Sequence, residues 1–113
     1  MIIMKFYQVD DKIIISDIPV GEEVAANTTD GAYEKHVPVI EQIGDHVTVN
    51  VGSVEHPMLD VHYIEWIILE TATGYQKHDL KPGDKPEAHF AVTEPVVAAY
   101  EYCNLHGLWM AKA

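Results

Sequence analysis

The 113-residue chain contains no arginine and only seven lysines against eighteen acidic residues, for a formal net charge of -11. A nucleic-acid partner would need a basic stripe and forked guanidinium contacts to phosphate, so that class is excluded. The same negative field repels a small anion at long range, and an enzyme acting on one would need a positive group beside its site. There is one cysteine, Cys103. It can form no disulfide within the chain, and no metal centre of four thiolates can be built from it, which leaves a free thiol or a single thiolate ligand. Apolar runs long enough to span a membrane are missing. The opening Met1-Ile2-Ile3-Met4-Lys5 is too short and too soon followed by charge for a signal sequence, so no membrane partner and a cytoplasmic setting are expected.

Long helical periods are missing too. Short β-type runs separated by turn chemistry recur instead, at 12–16, 37–43, 46–51, 61–69, 75–80, 88–93, 96–102 and 108–111, which predicts an all-β sandwich. Gly44-Asp45 and Thr73-Gly74 read as hairpin turns, so neighbouring strands are expected to be antiparallel. In 47–51 the valines alternate onto one buried face. In 61–69, His62, Ile64, Trp66 and Ile68 are expected on one face and Tyr63, Glu65, Ile67 and Leu69 on the other, in a central strand. Lys81-Pro82-Gly83-Asp84-Lys85-Pro86 is a connection, because its prolines cannot donate to a ladder. The stretch 21–33 reads as a long loop.

Hydrophobic residues at 48% and charged residues at 22% fit one folded domain. Seven histidines are many for this length. His36, His56, His62 and His106 sit at strand ends or in loops. Cys103 and His106, separated by two residues in Cys103-Asn104-Leu105-His106-Gly107, can converge on one metal, with Gly107 allowing a tight backbone. A thiolate with several imidazoles suits iron, copper or zinc and not calcium or magnesium. Taken singly, each of these residues is more often an ordinary surface or core residue. That bland reading is kept for His46, His78 and His89, which lie within strands with no partner at ligand spacing, and for Met58, Met110, Trp66 and Trp109, read as core or rim packing.

Together, Glu34-Lys35-His36-Val37-Pro38-Val39, His56-Pro57-Met58, His62-Tyr63-Ile64-Glu65-Trp66-Ile67, Lys81-Pro82-Gly83-Asp84-Lys85-Pro86 and Cys103-Asn104-Leu105-His106-Gly107-Leu108-Trp109 closely resemble the motifs of the superoxide reductase family, which includes desulfoferrodoxin and neelaredoxin. The resemblance runs from about Asn27 to the C-terminus. It implies an immunoglobulin-like β-sandwich over 27–113 and one mononuclear iron per chain, held by His36, His56, His62 and His106 in a plane and by Cys103 axially. The implied activity is one-electron reduction of superoxide to hydrogen peroxide without dioxygen release, the iron being re-reduced by an external donor, commonly rubredoxin. Lys35 would attract the anion, and Glu34 resembles the family's glutamate that closes the open iron position in the resting ferric state. Family members form dimers or tetramers, and a homodimer is expected here. Residues 1–26 resemble a desulforedoxin-like module that has lost its cysteines, a vestigial segment without metal forming a short N-terminal extension. The alternatives are a cupredoxin-like copper protein using Cys103, His106 and Met110, and a non-catalytic zinc-binding sandwich.

Overall fold

A computed structural model describes residues 4–28 and 35–113. Among the described residues there are ten strands and no helix, so none is long and apolar enough to cross a membrane. The strands are β1 (Phe6–Val9), β2 (Lys12–Ile15), β3 (Glu22–Val24), β4 (Pro38–Ile43), β5 (His46–Val51), β6 (Ile64–Thr71), β7 (Tyr75–Asp79), β8 (Glu87–Ala91), β9 (Val96–Cys103) and β10 (Gly107–Lys112). They form a four-stranded sheet β10-β9-β6-β7, a three-stranded sheet β4-β5-β8 and a small N-terminal sheet β2-β1-β3, every strand pair being antiparallel. The two larger sheets face each other as the expected immunoglobulin-like sandwich, and the third is the N-terminal extension.

Two cores hold these layers together. The inward valines of β5 (Val47, Val49 and Val51) meet Ile64, Ile67, Leu69, Phe90, Ala99 and Cys103 between the larger sheets. The outer face of the four-stranded sheet buries Trp66, Ile68, Tyr100 and Leu108 under Phe6, with Ile13, Ile15 and Val24 closing the edge. β6 and β9 are therefore covered on both faces, which explains why β6 reads as an almost continuous apolar run.

Three details differ from the sequence reading. The stretch 21–33 is not all loop: Gly21 turns the chain at φ 76°, where a Cβ would lie 2.5 Å from the Gln8 carbonyl oxygen, and β3 follows against β1. Beyond it, Asn27 pairs with β10, its N–H donating to Leu108 O (2.9 Å) and its O accepting from Met110 N–H (2.9 Å). β1 itself was not among the expected strands. The alternation expected in 61–69 holds from Trp66 to Leu69 and breaks before it, because a bulge between Ile64 and Trp66 leaves Glu65 as an extra residue. The bulge puts Ile64 on the inner face with Ile67 and Leu69, while Trp66 and Ile68 face outward.

Candidate metal centre

Two connections at one end of the sandwich, together with the chain entering β4, present the sequence-predicted ligand set. His36 lies just before β4. His56 and His62 lie on the connection from β5 to β6, where His56 N–H donates to Val51 O (3.0 Å) and Leu59 and His62 close a small loop by mutual backbone bonds of 2.9 and 3.0 Å. Cys103 ends β9, and the turn to β10 brings His106 back over it, with Gly107 at φ 86° as its sequence position suggested.

The four imidazoles form a closed ring. Centroids are 4.9 Å apart for His36 and His56, 4.7 Å for His56 and His62, 5.0 Å for His62 and His106, and 4.9 Å for His106 and His36, each pair edge to face. Cys103 is fully buried, its Sγ 3.6 Å from His56 Nε2 and 3.8 Å from His106 Nδ1. One ligand-type atom from each of the five residues lies within 4.8 Å of all the others. His56 is buried, His36 and His62 are half-buried and His106 is exposed, so the cluster reaches the surface at His106.

Hydrogen bonding fixes which atoms face inward. His56 Nδ1–H donates to Pro57 O at 2.7 Å, which turns Nε2 toward the sulfur. His36 stacks on Trp109, with centroids 4.6 Å apart and planes at 16°, while Trp109 Nε1–H donates to His106 O at 3.1 Å. Asn104 ties the two ligand-bearing loops together: its Oδ1 accepts from Tyr63 N–H (2.9 Å), its Nδ2 donates to Val61 O (3.1 Å), and its own N–H donates to Tyr63 O (3.2 Å). Sequence reading missed Asn104 and Trp109 as positioning residues. The available signal was their place in the Cys103 to Trp109 motif, between and just after ligand-type residues.

Burial lowers the His56 pKa to about 4, with the neighbouring imidazoles adding to the effect against the Pro57 hydrogen bond. His62 is lowered for the same leading reason, with positive charge on His106, His36 and Lys35 contributing. Both rings are held neutral with lone pairs available. Burial pushes the Cys103 thiol up, opposed by the N–H groups of Leu105 and His106 directed at the sulfur, while the charges of Glu101 and Glu65 push it further up. A bound cation would reverse that balance and favour the thiolate.

His62 Nε2 is buried with no hydrogen-bond partner among the described residues. A buried imidazole nitrogen left in this way costs about 1–3 kcal/mol unless something takes its lone pair. With four imidazoles and a sulfur so close together, the donor set fits one transition ion. Lys35 is half-buried beside the ring, near enough for its charge to act on His62. Glu34 lies outside the described residues. Met110 packs into the outer core, away from the ring, which removes the cupredoxin-type set of Cys103, His106 and Met110. His78 is exposed on β7, but His46 and His89, set aside on spacing, lie together on the outer face of the three-stranded sheet.

Fold and site thus define a β-sandwich with four imidazoles arranged around one buried thiol. Residues 28–112 match the family model described as desulfoferrodoxin, and the chain belongs to that family. It is 56% identical over 86 residues to desulfoferrodoxin of Nitratidesulfovibrio vulgaris, covering 76% of this chain and 68% of that one. It is 36% identical over 96 residues to superoxide reductase of Pyrococcus abyssi, covering 67% and 83%. The crystal structure of the superoxide reductase from Treponema pallidum superposes with a TM-score of 0.82 at 39% identity, covering 96% of this chain and 97% of that one.

Proposed function

We propose that the protein is a superoxide reductase, reducing superoxide to hydrogen peroxide with one electron and two protons and releasing no dioxygen. The observation that carries this reading is the closed ring of imidazoles over the sole cysteine, supported by the family membership and by relatives named for that activity. His36, His56, His62 and His106 would hold iron through ring nitrogens and Cys103 through its sulfur. Iron held there would supply the single electron and an open position for the anion.

The chain's own groups account for the rest. Cys103 is set deep by β9, and the N–H groups of Leu105 and His106 restrain the negative charge on its sulfur. Lys35 supplies the local positive charge that a molecule of net charge -11 needs in order to draw in an anion. Glu34 is assigned the family's gating role on its position in the motif. Leu59, Val61 and Leu105 are 61%, 74% and 60% exposed on the ligand-bearing loops and offer an apolar landing to an electron donor of the rubredoxin kind. Residues 1–26 fit a vestigial desulforedoxin-like module without metal, a homodimer fits the family, and a cytoplasmic setting suits a lone reduced thiol.

Anaerobic purification followed by elemental analysis and a superoxide-consumption assay tests this. One iron per chain is expected, with superoxide consumed, no dioxygen evolved and Cys103→Ser inactive. Normal turnover by the Ser variant, or dioxygen evolution, would overturn the reading, and a second iron per chain would refute the vestigial N-terminal module.

A further inference from the structure

We infer that His46 and His89 form a second metal site, a two-imidazole clamp for a borderline divalent transition ion such as zinc, on the outer face of the three-stranded sheet. Alternation along β5 sends Val47, Val49 and Val51 into the core and His46, Thr48 and Asn50 outward. Because Thr48 pairs with His89 and His46 with Ala91, the two histidines are diagonal neighbours on that outward face, 43 residues apart in sequence. His46 Nε2 and His89 Nδ1 lie 3.0 Å apart, with ring centroids at 5.1 Å. Two imidazole nitrogens about 2.0–2.1 Å from one ion, at tetrahedral or right angles, are roughly 2.9–3.4 Å apart.

The surroundings favour a cation. Glu87 Oε1 lies 3.6 Å from His89 Nε2, beyond a direct hydrogen bond, and places a carboxylate charge beside the pair. Thr48 Oγ1, 3.2 Å from His89 Nδ1, offers an oxygen on the same side. Glu41, directly opposite Thr48 on β4, adds negative charge to the face. In the metal-free pair one ring N–H bridges the 3.0 Å gap. Whichever ring donates, moving that proton to the ring's other nitrogen frees both facing nitrogens for an ion with no net loss of a proton. Both side chains are exposed and neither belongs to the four-imidazole ring.

The test is zinc binding to the iron-loaded full chain, by equilibrium dialysis with elemental analysis and by calorimetry. One zinc per chain should bind with iron retained. His46→Ala and His89→Ala should each weaken it about tenfold or more, while His78→Ala leaves it unchanged. No zinc uptake, uptake matched by iron loss, or undiminished binding by the His46→Ala/His89→Ala double variant would overturn the inference. Iron content and superoxide consumption are read in the same samples, so this result stands apart from the proposed function.

Discussion

Under the proposed function, Lys35 is the positive group beside the imidazole ring that offsets a net charge of -11. Attraction of a small anion by a single ammonium group is screened over about 10 Å at 0.1 M salt. Lys35→Ala should therefore slow superoxide consumption several-fold at low ionic strength, the deficit shrinking as salt is raised, with iron content unchanged. Stopped-flow rates over a salt series, paired with metal analysis, check this; loss of iron would make Lys35 a structural residue. The five ligand-type residues were legible because their identities stand inside local motifs. The restraints on them, such as Trp109 stacked on His36 or Pro57 O beside His56 Nδ1, are contacts that no spacing rule reports.

Among the elements, the turn from β9 to β10 and the connection into β6 each carry ligand-type residues, and Asn104 sets their separation. Asn104→Ala removes both side-chain hydrogen bonds, leaving Tyr63 N–H and Val61 O to find other partners. A loss of about 1–3 kcal/mol in stability is expected, with about 10–100-fold weaker metal retention, read by denaturant unfolding and chelator competition. Unchanged retention would show that the loops hold their spacing without it. The eight strands expected from sequence all form, since alternation and turn residues are local properties. β1 was missed although Phe6, Tyr7 and Val9 are strand-forming residues, and β3, three residues long, exists only by pairing with β1. The bulge at Glu65 has no signature in the run Ile64-Glu65-Trp66-Ile67.

For the molecule as a whole, the N-terminal sheet is part of the stability of the sandwich. Phe6 is 2% exposed and its ring sits 4.9 Å from Tyr100 and 6.0 Å from Trp66. Phe6→Ala should cost about 3–5 kcal/mol in urea unfolding; a loss below about 1 kcal/mol would mean the extension is only loosely applied. Below that ring, Tyr100 O–H donates to the buried Glu70 carboxylate at 2.8 Å. Burial, with the Glu70 hydrogen bond and charge, raises the Tyr100 pKa above its ordinary value of 10.0. Above pH 10 the unfolded chain releases this proton while the folded one keeps it, so stability falls as pH rises through that range. Tyr100→Phe should flatten the alkaline decline seen in thermal melts, while costing about 1–3 kcal/mol at neutral pH by leaving Glu70 without its donor.

By itself, the sequence determined what depends on neighbours along the chain: the all-β class, the hairpin turns, and the five residues fit for a transition ion. Only the tertiary structure decided what depends on residues far apart meeting. It closed the imidazoles into a ring, sank the thiol beneath them, gave the N-terminal sheet a face to cover, and brought His46 against His89. The physical reason is that strand alternation fixes which face a side chain takes. Its neighbours across the sheet are set by register, and register is fixed by the packed core and the turns together.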